Sequence, residues 1–422
     1  MATATGQSGA GAAAGAAGGP LLLVTPGFRG HRLTWCRALA ALLREKGHEV
    51  VVAGDRDDPA LSREPLLADL AATEGVALRQ LAATAAGEPA AVAALARETG
   101  AGAVLHLEAE RLRGPLPRGF WRAGLLLRSG PPAARRRGLR LPTRLSPPLA
   151  ALDVALPLDE RLAALAGLPW FPDVFREWDP PEGSATAPDG EEGGSATAAA
   201  AGRAGRGGEA ARWREELAAF LARQPRRPVV VYVGTNQARR GYDRLLRLAV
   251  REDAVFLHCG RLEPWDCEGA EEVAALRGVL RARGALLETG APYRDPATAD
   301  VFLRAARCVL LPYRDHRGSS GALLQALAAG RPVAVAAGGL LAWRVRTFGL
   351  GVVVADAGEE GWRRAFRDLR ARRVEAWAPR LAAFTAAFGR GQVAAALDAA
   401  LGGGPGARLP QEVVFGRREV AL

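Results

Sequence analysis

Methionine occurs once and cysteine four times in this 422-residue chain. The scarcity of Met, beside abundant Ala and Gly, reflects GC-rich coding and says nothing of function. Cys36, Cys259, Cys267 and Cys308 form no C-x-x-C pair and no His-linked zinc spacing. The sequence therefore implies neither a metal nor a disulfide framework, and reduced, buried thiols are the expectation. No uninterrupted apolar run approaches the roughly 18–20 residues of a membrane span. Residues 1–19 have neither the basic stretch nor the apolar core of a secretory signal, and read as a disordered leader. A cytoplasmic protein, soluble or peripheral at the inner membrane face, is expected. Acid is absent between Glu110 and Asp153, where Arg111, Arg113, Arg118, Arg122, Arg128, Arg135, Arg136, Arg137, Arg140 and Arg144 accumulate around Phe120 and Trp121. Such a stretch suits an anionic membrane surface or a phosphorylated acceptor. In a chain of formal net charge +11, it reads equally well as a solvated face. No nucleic-acid-binding motif accompanies it, so nucleic acid is not an expected partner.

What is present is globular: 49% hydrophobic and 24% charged residues, in a chain longer than one core usually organises. LLLVTP (21–26), Gly27-Phe28-Arg29-Gly30, a helix to about Lys46 and the strand EVVVAG (49–54) form a strand–turn–helix–strand unit. That implies a parallel sheet with ligands at the strands' carboxyl ends. Helical patterns at 65–72 and 88–98, and strands at 76–79, 103–107, 124–127 and 152–156, continue it. Residues 181–211 are low-complexity, cannot supply a core, and read as a flexible insertion without chemistry. A helix (212–223) and the strand PVVVYVG (228–234) restart the alternation, and helical patterns at 359–372 and 374–401 close it. The divisions are a leader (1–19), a first domain (20–180), the insertion (181–211), a second domain (212–401) and a tail (402–422).

Leu310 to Val335 is the most informative stretch. Between the strands CVLLP (308–312) and PVAVA (332–336), Gly318-Ser319-Ser320-Gly321 opens a helix that stops at Gly330. A hydroxyl-rich turn at a helix start offers free N–H groups and a positive dipole end, suited to a diphosphate. A plain serine-capped helix has the same sequence.

The order of segments after Pro332, with Gly338-Gly339 and then GLGVVVAD (349–356), resembles the donor half of family-4 glycosyltransferases. VGTNQARRG (233–241) resembles the family's G-x5-K-G element with Arg240 at the lysine, and FLHCG (256–260) its next strand. EKGHEVVVAG (45–54) resembles its R-G-H-E-V strand entry, VLHLE (104–108) its D-V-V-H strand, and LPWFPDVF (168–175) its exit from the first domain. The resemblance runs from about Leu21 to Leu401. It implies the GT-B fold: α/β, two Rossmann-like domains of parallel sheet facing a cleft, and a C-terminal helix returning to the first domain. It also implies transfer of a sugar from a nucleotide-diphosphate sugar to a glycan, lipid-linked or small-molecule acceptor. The reaction would be retaining, with no metal and no cofactor beyond the co-substrate.

Transfer from such a donor needs fixed positive charge and N–H donors where the leaving diphosphate gathers negative charge. Arg239 and Arg240 suit the first need and Ser319, Ser320 and Gly321 the second, while Gly30 lets backbone approach the phosphates. His106 and His316 are further catalytic candidates. His106 reads as well as a satisfied core histidine. The family carries two glutamates eight positions apart where this chain has Arg317 and Gln325, and an arginine where it has Thr235. Gln325 can still bond ribose hydroxyls, but Arg317 is donor-only. A catalytically silent GT-B nucleotide-binding or partner protein is therefore the alternative. A nucleotide-sugar epimerase would need acidic and histidine groups around the anomeric carbon that the sequence does not locate.

Overall fold

The computed structural model describes residues 19–28, 31–54, 65–81, 87–126, 152–161, 163, 170–174, 196–265, 268–290, 296–316 and 318–401. In the first domain β1 (Leu21–Val24), β2 (Val50–Gly54), β3 (Val76–Gln80), β4 (Ala103–His106), β5 (Trp121–Leu126) and β6 (Val154–Pro157) form one sheet in the order 3-2-1-4-5-6. Every pairing is parallel. Short Val/Leu/Ala runs form these strands because both faces are covered. Leu21 and Leu23 enter one core layer, Leu22 and Val24 the other. Helices α1 (His31–Glu45), α2 (Pro65–Ala71) and α3 (Glu88–Thr99) connect them.

The second domain repeats the plan. Helix α4 (Ala196–Ala222) leads into β7 (Val229–Val233), α5 (Tyr242–Arg251), β8 (Val255–Arg261), α6 (Ala270–Ala282), β9 (Leu286–Gly290) and α7 (Pro296–Ala305). Then follow β10 (Val309–Leu311), α8 (Gly321–Ala328), β11 (Val333–Ala336), α9 (Gly339–Phe348), β12 (Gly351–Val354) and α10 (Glu359–Ala371). The ladders β7-β8-β9 and β10-β11-β12 are parallel, and β10 lies alongside β7. The strand order therefore reverses between β7 and β10, where open α/β sheets bind ligands.

Two sequence expectations are corrected. Helix α4 begins at Ala196, inside the stretch read as flexible insertion. Ala196 and Ala198 to Ala201 are the best of helix formers, and they extend a helix already anchored by buried Ala210, Trp213, Leu217 and Phe220. The expected single helix 374–401 is a 3-10 turn (Val374–Ala376), α11 (Ala378–Ala386) and α12 (Arg390–Ala400). The break at extended Gly389 has a packing reason. Leu381, Phe384 and Phe388 belong to the second domain's core, whereas Val393, Ala396, Leu397 and Ala400 belong to the first's.

The chain thus passes from the second core to the first at Gly389, as it also does between Trp170 (second core) and Phe171 (first core). Trp170 and Phe388 meet edge-to-face at 5.3 Å, so both crossings share one contact. The returning helix is tied down by Lys46 to Asp398 at 2.7 Å, by an Arg390–Glu45 ion pair, and by Trp121 Nε1–H donating to the Ala400 carbonyl at 2.6 Å. Trp121 is therefore part of the fold, not an aromatic held ready for a membrane surface. Among the described residues no helix is long and apolar enough to cross a membrane.

Candidate functional site

The turn after β7 is built around two glycines and a tyrosine. Buried Tyr232 donates from its hydroxyl to the Thr235 carbonyl at 2.6 Å and accepts from the Gln237 N–H at 3.3 Å, clamping the turn. Burial pushes its phenol up, so it stays neutral. Gly234, at φ +109°, leaves room for the Arg240 guanidinium: a Cβ there would lie 2.6 Å from Arg240 Nη1. Ala238–Arg240 form a 3-10 turn ended by Gly241 at φ +73°, where a Cβ would stand 2.5 Å from the Pro312 carbonyl oxygen. Only glycine lets this turn sit against the loop after β10. The exposed Arg239 and half-buried Arg240 are thereby held at the sheet's carboxyl edge.

The loop after β10 meets that turn directly. Arg314 donates its backbone N–H to the Arg239 carbonyl at 2.8 Å, Nη1 to the Ala238 carbonyl at 3.0 Å, and Nη2 to Asp243 at 2.6 Å. Arg240, Tyr313 and Ala322 line one narrow crevice between β7 and β10. Ser320 caps α8, its extended backbone presenting Oγ to the Leu323 N–H at 3.3 Å, with the Tyr313 hydroxyl 3.2 Å from the same oxygen. The cap takes one of the helix's first N–H groups; those of Gly321 and Ala322 have no intrahelical acceptor. Gln325 is half-buried one turn further along α8.

His316 stacks edge-on to Tyr313, centroids 5.0 Å apart, and its Nε2 lies 3.1 Å from the Ser319 carbonyl, which takes its proton. Burial, against the pull of that carbonyl and helped by Arg239 and Arg240, pushes the imidazole down to about 4. His316 is therefore a neutral donor near pH 7. The folded value lies below the ordinary 6.5, so between pH 6.5 and about 4 the unfolded chain binds the proton more tightly. Stability falls as pH falls through that window and is insensitive to His316 above it. His316→Gln should lose less melting temperature than wild type over the window; equal losses would refute this role.

A buried bridge between the domains joins residues that no local sequence pattern connects. Glu160, just past β6, and Arg344, inside α9, are both fully buried. Arg344 grips the carboxylate with Nε at 2.9 and 3.2 Å and Nη2 at 2.8 Å. Nη2 also lies 3.3 Å from the Leu158 carbonyl, Nη1 donates to Ser319 Oγ at 2.8 Å, and the guanidinium lies 5.2 Å from the Phe388 ring centroid. Burial raises the Glu160 carboxyl against the pull of Arg344. One signal was available: Arg344 stands on the apolar face that also carries Leu341, Val345 and Phe348.

In the first domain, His106 is fully buried and both ring nitrogens are engaged. Nδ1 accepts from the Glu108 N–H at 3.1 Å, which leaves Nε2–H to meet Glu88 at 3.1 Å. This is the geometry of a satisfied core histidine, one of the two readings its sequence context allows. It anchors the start of a loop on which Glu108 takes bonds from Arg32 at 2.6 Å and Arg111 at 3.2 Å. Burial would raise Glu108, but the two arginines outweigh it and hold the carboxyl below its usual range. Arg122 likewise forks onto Asp153 at 3.0 and 2.8 Å. Of the ten arginines, Arg111 and Arg122 thus serve the fold, Arg113 and Arg118 are exposed, and the other six lie outside the described residues. So do Gly30 and Arg317. Cys36, Cys259 and Cys308 are buried free thiols, and burial raises all three. Among the described residues no group of three or more His, Cys, Asp or Glu is placed to hold a metal ion.

No protein-family model and no curated protein matches the sequence significantly. Solved structures do match in shape. WaaG, a glycosyltransferase involved in lipopolysaccharide biosynthesis, superposes at TM-score 0.55 with 16% identity, over 90% of this chain and 98% of its own. Anabaena HepE, in complex with UDP and glucose, gives 0.55 at 12% identity over 91% and 99%. S. aureus MnaA, in complex with UDP, gives 0.55 at 12% over 93% and 100%. At these identities the likeness is one of architecture, and it agrees with the strand order, the doubled Rossmann plan and the returning helix. The chain has the GT-B fold.

Proposed function

We propose that this protein is a glycosyltransferase of the family-4 type. It moves a sugar from a nucleotide-diphosphate sugar to an acceptor, with retention and without a metal. The observation that carries the reading is the meeting of Arg239 and Arg240 with the α8 N-terminus at the β7/β10 reversal. Two cations and the amides of Gly321 and Ala322 suit a departing diphosphate, whose charge grows as the glycosidic bond breaks. Neutral His316 and the Ser319–Ser320 pair hold that N-terminus in shape. The presence of UDP in the HepE and MnaA structures makes UDP the first nucleotide to try.

Arg317 and Gln325, standing where the family has glutamates, favour the second reading, a silent nucleotide-binding protein. A melting-temperature panel with UDP, GDP, ADP and their hexose conjugates, followed by an assay for nucleoside-diphosphate release, separates the two. A ligand that binds the native state alone raises its stability by mass action. Stabilisation with release supports the transferase, stabilisation without release the silent protein, and no stabilisation rejects both. For an acceptor held at an anionic membrane face, exposed Arg113 and Arg118 are the described support. Salt-sensitive co-sedimentation with anionic but not neutral vesicles is the check on that placement.

A further inference from the structure

Arg344 joins both domains through one planar fork. Two of its nitrogens face the first domain, at Glu160 and the Leu158 carbonyl, while Nη1 holds Ser319 Oγ on the loop that opens α8. A serine hydroxyl has one hydrogen and two lone pairs. With Nη1 seated on a lone pair, the Ser319 hydrogen is left to donate elsewhere. The backbone at Ser319 is fixed as well, by His316 Nε2 at 3.1 Å from its carbonyl. The residue beside the α8 cap is therefore oriented from two sides, and one of them is anchored in the opposite domain.

A clamp between domains does not require this third bond. Buried ion pairs contribute little net stability over apolar packing, and Glu160 with Leu158 already engages Nε and Nη2. The fork geometry is what allows one arginine to serve both partners, and a lysine point charge could not.

We infer that Arg344 is a positioning residue for the donor diphosphate: it aims the Ser319 hydroxyl, and Glu160 of the first domain sets its aim. Diphosphate affinity in the second domain then depends on a carboxylate in the first. The inference rests on the nucleotide-sugar reading above. Interdomain geometry and donor binding become one equilibrium, because separating Glu160 from Arg344 releases Ser319.

The test is calorimetric titration of full-length protein with the tightest-bound of UDP, GDP and ADP. The variants are Ser319→Ala, Glu160→Gln, Arg344→Lys and the Ser319→Ala/Glu160→Gln pair, with melting temperatures alongside. Ser319→Ala, which leaves Arg344 Nη1 without that acceptor, should melt somewhat lower than wild type and bind about 10- to 100-fold more weakly, the worth of one hydrogen bond to a charged phosphate. Glu160→Gln and Arg344→Lys should show the same loss. The pair should lie within about twofold of Ser319→Ala alone, because all act through one hydroxyl. If Glu160→Gln does not fold, Arg344→Lys with Ser319→Ala completes the same cycle. Variants that melt lower but bind as wild type would reduce Arg344 to a clamp and overturn the inference alone. Losses that add would overturn it too. A wild type that binds none of the three nucleotides overturns the functional reading, and this inference with it.

Discussion

Glu160→Ala is expected to lower the free energy of unfolding by about 3–5 kcal/mol, because it strands a buried guanidinium without its counter-charge. Arg344 is fully buried and would keep only the Leu158 carbonyl and Ser319 Oγ as acceptors. Removing both charges tells a different story. Glu160→Leu with Arg344→Met replaces a desolvated pair by apolar groups of similar bulk, and should recover most of the loss. Denaturant unfolding followed by tryptophan fluorescence measures both. A Glu160→Ala protein within about 1 kcal/mol of wild type would mean the pair is open to water in solution.

Arg240→Ala should weaken nucleoside-diphosphate binding by about 10- to 100-fold, since charge-assisted hydrogen bonds to phosphate contribute about 1.5–3 kcal/mol. Its effect on stability should be small. The guanidinium is half-buried over Gly234, and the turn's shape is held by Tyr232, Gly241 and Arg314. Arg240→Lys is a useful companion, because it restores the family's residue and should retain much of the binding. Calorimetry against UDP, GDP and ADP decides the matter. Unchanged affinity in Arg240→Ala, with measurable wild-type binding, would move the diphosphate away from this turn.

Most of the architecture is legible in the sequence because doubly wound folds are written in local signals. The buried strands are continuous apolar runs, such as LLLV (21–24) and VVVYV (229–233). The positive-φ glycines Gly47, Gly241, Gly330 and Gly349 mark element ends. The two turns carrying Arg240 and Ser320 were legible for the same reason: each lies at a strand's carboxyl end. What was hidden depends on partners distant in sequence. Nothing near Arg344 announces Glu160, 184 positions away. The sequence around His106 does not show that Glu88 and the Glu108 amide occupy both its nitrogens. Nothing in the arginine-rich stretch around Trp121 announces its acceptor, the Ala400 carbonyl of the returning helix, 279 positions away. The break at Gly389 followed from two cores competing for one amphipathic pattern, which periodicity alone reads as a single helix.

Hydrogen–deuterium exchange of the full chain with and without saturating UDP locates the site without assuming any chemistry. Protection in the two peptides covering 234–241 and 316–323, with little change across 103–111, is the expected pattern. Protection confined to the first domain, or none in either loop despite binding, would contradict a diphosphate site built from Arg239, Arg240 and the α8 N-terminus.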